Sequence, residues 1–299
     1  MSNILIIYHH KTGCVLSKLL VKLYEETLGD KIHFKYNHLD DNYKMVNNKL
    51  VKDFNYNLNL NSKYKFYLQA SPNYIYNIFN NIDINKIIHF IRDPYSQSLS
   101  NFAYHTQSPT PEKWFLKIKN DKNKWFSNTQ LLHVMLRILD IDLNIIEETK
   151  KYLKNNFKPD VSKSYYENLL LIKKNNICKA FIIETLRFIF ETKHILKMAC
   201  MIKINQKNRN KILYLKIEDF KNDTHNTIKK FSNFIFSENI DNKIILKKYN
   251  NNLNCTKKKG THFNKMNSET KEKLINELKK NKIIFEIFHK VNRVIKIFT

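Results

Sequence analysis

Three features of this sequence predict an α/β fold with a parallel β-sheet flanked by helices. Short apolar runs alternate with segments of helical periodicity. Polar or basic loops stand where the apolar runs end. Two of the three glycines in the 299-residue chain fall inside such loops, although average usage of roughly 7% would give about twenty glycines. A glycine kept against that background marks a backbone position that a side chain would spoil, through positive φ or the close approach of a ligand.

The first run, Ile4 to Ile7, is apolar without alternation, as expected of a strand buried on both faces of a parallel sheet. It leads through Tyr8-His9-His10-Lys11-Thr12-Gly13-Cys14 into Val15, Leu16, Leu19, Leu20, Leu23 and Tyr24 at helical spacing. That helix stops at Leu28-Gly29, where Gly29 suits a C-cap. Strand, tight loop and helix make the first half of a βαβ unit. Asp40 to Asn61 is Asn-rich and reads as an irregular excursion. Tyr64 to Leu68 and Lys86 to Ile91 are further strands, with Ser71-Pro72 and a short helix around Ile75 to Phe79 between them. Arg92-Asp93-Pro94 ends the third strand, because Pro disfavours αR at the residue before it and suits a first helical turn. A helix from about Tyr95 to His105 follows.

Residues 106 to 210 read as mainly helical, an insertion or lid within one domain spanning 1–299. The sheet resumes at Ile212 to Lys216, Asp223 caps an amphipathic helix through Phe236, and a basic loop at Lys257 to Gly260 precedes a last pair of helices from about Ser268.

The formal charge of +25 favours anionic ligands. Asn, Lys, Ile, Tyr and Phe are inflated together while Gly, Pro and Ala are scarce, so A/T-rich coding accounts for much of the lysine, and a nucleic-acid partner is not expected. Four cysteines, Cys14, Cys178, Cys200 and Cys255, show neither CxxC pairing nor metal-ligand spacing. No metal is expected. No apolar stretch approaches 18 residues, and a strand beginning at Asn3 leaves no room for a signal peptide, so the expectation is a cytoplasmic protein without a membrane span.

Ligands of open parallel sheets sit at the carboxyl ends of the strands. Two segments there have phosphate-binding chemistry. The first puts Lys11 and backbone N–H groups at a helix N-terminus, where unpaired donors and the helix dipole favour an anion. It is not a Walker A loop, since its Lys precedes its Gly. The second has Arg92 at a strand end and Ser100 eight residues later, a guanidinium and a hydroxyl that could grip one phosphate.

Together these segments resemble the sulfotransferases that use 3′-phosphoadenosine 5′-phosphosulfate (PAPS), on a P-loop NTPase-like fold. The family's Lys-Ser/Thr-Gly-Thr-Thr loop for the 5′-phosphosulfate is matched by Lys11-Thr12-Gly13-Cys14-Val15, preceded by His10. Its Arg-Asp/Asn-Pro motif with a Ser eight residues on, for the 3′-phosphate, is matched by Arg92-Asp93-Pro94 and Ser100. Phe66 to Tyr74 resembles the strand and turn between these motifs. Leu213 to Phe220 resembles the family's strand ending in Glu-Asp-Leu. Lys257-Lys258-Lys259-Gly260 resembles its basic loop over the 3′-phosphate and adenine. Order and spacing match over most of the chain, and residues 106 to 210 match loosely. Cys14 and Val15 stand where the family has paired threonines, which removes two hydroxyl donors. Gln69 and Ala70 occupy the region where some members carry a catalytic His or a Glu-Lys pair.

The resemblance implies transfer of a sulfuryl group from PAPS to an acceptor hydroxyl or amine, a carbohydrate being the expected acceptor and 3′-phosphoadenosine 5′-phosphate (PAP) the product. Lys11 would neutralise charge on the leaving phosphate. His105, Glu184 and His10 are the candidate bases. His105 can equally be a helix-end residue, and Glu184 can pair with Lys179 or Arg187. Trp114 and Trp125 read as packing or lid anchors. Two alternatives remain: a nucleotide or small-molecule kinase on a related P-loop fold, which would need Mg²⁺, and a catalytically inactive basic relative that binds phosphate or glycan.

Overall fold

The computed structural model describes residues 2–36, 43–46, 49–52, 63–70, 84–107, 115–236, 240–258 and 266–298. In chain order β1 (Ser2–Tyr8), α1 (Cys14–Leu28), β2 (Ile32–Tyr36), β3 (Tyr43–Val46), β4 (Lys49–Lys52), β5 (Tyr64–Ala70) and β6 (Lys86–Ile91) come first. Then follow α2 (Pro94–His105), α3 (Lys122–Trp125), α4 (Thr129–Ile138), α5 (Asn144–Asn156), α6 (Tyr165–Asn175), α7 (Ile177–Arg187) and α8 (His194–Ile204). The chain closes with β7 (Ile212–Lys216), α9 (Asp219–Asn222), α10 (Thr224–Ile235), α11 (Asn242–Lys258), α12 (Ser268–Lys280) and α13 (Lys282–Phe298). These elements form two compact units, one of residues 1–92 and 204–261, the other of residues 93–203 and 262–299.

The first unit is the expected α/β layer. Five strands form a wholly parallel sheet in the order β2-β5-β1-β6-β7. β1 lies at its centre, and Ile4 to Ile7 are at most 1% exposed, which is why that run shows no alternation. α1 covers the sheet with Leu20, Val21, Leu23 and Tyr24, and α10 adds Ile228, Phe231 and Ile235. Tyr24 stacks on Phe231 and hydrogen-bonds the Ser232 hydroxyl. Asp223 caps α10 as expected, its side chain accepting from the Asn226 N–H. Gly29 caps α1, its N–H donating to the Glu25 carbonyl.

The structure adds two pieces in this unit. Among the described residues β2 pairs with β5 alone, at the edge of the sheet. The expected excursion at 40–61 contains an antiparallel pair, β3 with β4, in register Tyr43↔Lys52 to Val46↔Lys49. The short helix expected around 75–79 lies outside the described residues.

The second unit is helical, as residues 106 to 210 led one to expect, and it includes α2 and the C-terminal pair α12 and α13. α2 starts where the sequence placed it: Pro94 is in the first turn and the Asp93 carboxylate accepts from the Ser96 N–H at 2.8 Å. α6 opens with a Ser164/Glu167 capping box. α7 is buried nearly all round and runs into a π-helical turn, Phe188–Thr192. α13 buries Ile284, Ile287, Phe288 and Val291, the three- and four-residue spacing of a helix with one apolar face. Trp125, expected as an anchor, is 1% exposed, stacks on Phe157 and meets Tyr165 edge-on. Trp114 lies outside the described residues.

Candidate functional site

In the sheet order β1 has β5 and β2 on one side and β6 and β7 on the other. The chain's crossovers therefore change direction between β1 and β6, and open parallel sheets bind ligands beyond the carboxyl ends of strands at such a point. His9–Gly13 leaves β1 there and Arg92 leaves β6 there, both within the first unit.

The loop is held by its own main chain. The Thr12 N–H and hydroxyl both donate to the His9 carbonyl, at 2.9 and 2.8 Å, and the His9 N–H donates back to the Thr12 hydroxyl. This closed turn sets Lys11 in the left-handed region at φ 62°, which is uncommon for a residue with a Cβ and concentrates at functional sites. Gly13 follows at φ 104°, and a Cβ there would stand 2.6 Å from Ile217 Cδ1 and 3.1 Å from Phe90 Cδ1. Positive φ and crowding by the Ile217 and Phe90 side chains both require glycine at this position. Replacing it with alanine should lower stability by about 1–3 kcal/mol, read from the urea midpoint. An unchanged midpoint would show that the loop relaxes freely.

Beyond Gly13 the first turn of α1 has no side-chain cap and no acidic residue. Its leading N–H groups, with the dipole behind them, make a site for an anion. Val15 in that turn is 54% exposed rather than packed on the core. Cys14 and Lys11 are half-buried. The Thr12 side chain is placed differently from the sequence expectation: it is fully buried, and its hydroxyl staples the turn instead of facing a phosphosulfate.

Arg92 joins the end of β6 to the loop that follows β1. Its Nη1 donates to the Lys11 carbonyl at 3.0 Å and its Nε donates to Glu218 Oε1 at 3.2 Å. Among the described residues no protein acceptor takes Nη2, and the side chain is 16% exposed. The bond to Lys11 fixes the loop and the bond to Glu218 fixes the guanidinium plane, which leaves Nη2 as a donor without an acceptor among the described residues. Sequence reasoning singled out Lys11 and Arg92 separately. It missed Glu218 as the residue that orients Arg92, although Glu218 stands in the segment Leu213 to Phe220, two residues past the end of β7.

Beneath the loop, His9 and His89 are 0% and 2% exposed, with their Nε2 atoms 3.0 Å apart. Burial pushes the His89 imidazole down to about 3, so the ring is neutral at pH 7.

Ser100 is half-buried on α2, in the second unit. Lys257 and Lys258 are the last residues of α11 rather than part of a loop, because the helical segment from Asn242 runs on through them. Lys259 and Gly260 lie outside the described residues.

Glu184 and His105 belong to a closed network in the second unit, 0% and 1% exposed. Glu184 Oε1 accepts from Asn101 Nδ2, His105 Nδ1 and Arg187 Nη2, and Oε2 accepts from the Tyr165 hydroxyl and Arg187 Nε, all at 2.7–2.9 Å. A carboxylate offers about four lone-pair sites, so this one is saturated. Burial alone would raise its pKa. The Arg187 charge, with hydrogen bonds from Arg187 and His105, outweighs burial and holds the carboxyl well below the usual carboxylate range. The partner that the sequence offered as an alternative, Arg187, is therefore the observed one. Arg187 Nη1 also binds Glu191 at 2.6 Å, and its guanidinium lies over the Phe115 ring at 5.0 Å. His105 stacks on that same ring. A group so enclosed has no oxygen left for a substrate proton.

Among the described residues no group of three or more His, Cys, Asp or Glu could hold a metal ion, and no helix is long and apolar enough to cross a membrane.

No protein-family model matches the chain, and no curated protein matches it. Among solved structures it is similar to a mouse sulfotransferase, SULT7A1, complexed with PAP, at 12% identity and a TM-score of 0.41, over 98% of this chain and 88% of that one. A likeness at that score carries no functional weight, and the chain's own residues carry the reading.

Proposed function

We propose that the chain is a PAPS-dependent sulfotransferase, acting on a hydroxyl or amine of an acceptor, with a carbohydrate as the preferred class. The observation that carries this reading is the Arg92–Lys11 bond, which joins the two segments read from sequence as phosphate-binding at the sheet's switch point. The left-handed Lys11 and Gly13 and the uncapped α1 N-terminus support it as an oxyanion cradle.

In this reading the α1 N–H groups and Lys11 hold the 5′-phosphosulfate and Arg92 binds a second phosphate, with Lys257, Lys258, Lys259 and Gly260 as further nucleotide contacts. The co-substrate supplies an activated sulfuryl group, whose bond to the phosphate oxygen breaks as the bond to the acceptor oxygen or nitrogen forms. Lys11 stabilises the negative charge that collects on the phosphate. We assign proton removal from the acceptor to His10, half-buried beside Lys11, because Glu184 is saturated by its own partners and His105 is buried and bonded to Glu184.

Thermal shift and calorimetry with PAP, ADP and ATP, each with and without Mg²⁺, test the reading, since ligand-linked stabilisation follows affinity. Metal-independent preference for PAP is expected. Mg²⁺-dependent ATP binding would replace it with a kinase, and binding without nucleotide selectivity would replace it with a basic scaffold.

A further inference from the structure

His9 and His89 take no part in the chemistry proposed above, yet each sits next to a residue that does. His9 is the first residue after β1, and its main chain is the base of the turn that presents Lys11. His89 lies on β6, three residues before Arg92. In the register of the two strands His89 is opposite Ile7, and His9, two residues beyond Ile7, returns to the same side of the strand. The rings reach each other across the ladder, Nε2 to Nε2 at 3.0 Å with ring centroids 5.2 Å apart. From the other side the Tyr214 ring of β7 meets His89 at 5.7 Å. One imidazole must donate and the other accept, which fixes both tautomers and ties the rings edge to edge.

We propose that His89 is a positioning residue for the phosphate-binding loop: its bond to the His9 ring pins the start of the His9–Gly13 turn to β6, the strand that delivers Arg92. The turn has a second tie to β6's end, the Arg92 bond to the Lys11 carbonyl. Together the two ties fix the spacing between Lys11 and Arg92, and with it the separation of phosphates that the loop accepts. Without the imidazole bond the Thr12 staple still closes the turn, but the turn can rock as a unit against β6. The inference rests on the nucleotide reading for its effect on affinity, and not for its effect on the loop.

The test compares His89→Phe, which fills the space without a nitrogen, with His89→Gln, whose side-chain amide can bond to His9. Amide hydrogen exchange is followed without ligand over residues 9–17, and PAP affinity is measured by calorimetry. His89→Phe should speed exchange in that segment, leave exchange in α10 unchanged, and weaken PAP about tenfold, the equivalent of ~1.4 kcal/mol. His89→Gln should restore both. Exchange in 9–17 that is the same in His89→Phe and the native chain overturns the proposal. Should native protein not bind PAP, the nucleotide reading fails while the exchange result still decides the loop's dependence on His89. Should His89→Phe not fold, imidazole ¹⁵N spectra of native protein at pH 8 decide: one protonated and one bare Nε2, coupled across the pair, is expected. Two rings each averaging between tautomers would overturn it.

Discussion

Replacing Glu184 with glutamine should destabilise the protein by about 3–5 kcal/mol, the usual cost of breaking a buried ion pair from one side. The substitution keeps the shape of the side chain and removes its charge, leaving Arg187 in the core with Glu191 as its remaining described carboxylate partner. It also turns one acceptor oxygen into an amide that must face the Arg187, His105, Asn101 or Tyr165 donors. Chemical denaturation checks the size of the effect. The pH dependence checks its origin. Glu184 binds its proton more weakly in the folded chain than in the unfolded one, so its contribution is complete above the unfolded carboxylate value near 4.3. That contribution is lost as pH falls through the folded value. Native protein should therefore lose stability on acidification below about pH 5 more steeply than Glu184→Gln does. Unchanged stability with lost turnover would reverse the assignment and make Glu184 the base.

Arg92→Ala should weaken PAP binding by about 100-fold or more, within the range for truncating one partner of a buried, hydrogen-bonded charge pair. Two losses combine: the guanidinium charge with its Nη2 donor, and the bond that holds Lys11. Arg92→Lys should recover part of the affinity, since it restores a charge without the planar fork. Calorimetry gives the affinities and circular dichroism confirms the fold. Native affinity in Arg92→Ala would remove the residue from the site.

Much of the first unit was legible in the chain before any coordinates. Ile4 to Ile7 is apolar without interruption because the strand is central, and a central strand needs both faces apolar. Gly13 and Gly29 stand out because the chain contains three glycines in all, and Gly13 meets both a positive φ and close neighbours. Asp93-Pro94 signals a helix start by local chemistry that acts within four residues. These are short-range constraints, each written in adjacent residues, so the sequence by itself determined them. The same holds for the positions of Lys11, in the loop after β1, and of Arg92, directly after β6.

Tertiary structure decided what depends on residues far apart in the chain. Nothing local distinguishes a Glu184 poised as a base from one enclosed by Asn101, His105, Tyr165 and Arg187, because two of those partners lie 79 and 83 residues away. The Thr12 hydroxyl has the same local appearance whether it faces a ligand or its own turn, and burial settles it. Lys257 and Lys258 read as a basic loop until the helix from Asn242 is seen to continue through them. Strand order is likewise a global property: it sets β6 beside β1, so that His89 reaches His9 and Arg92 reaches the Lys11 carbonyl. Hydrophobic period and turn chemistry are encoded along the chain, whereas the partners of a buried polar group are chosen by packing.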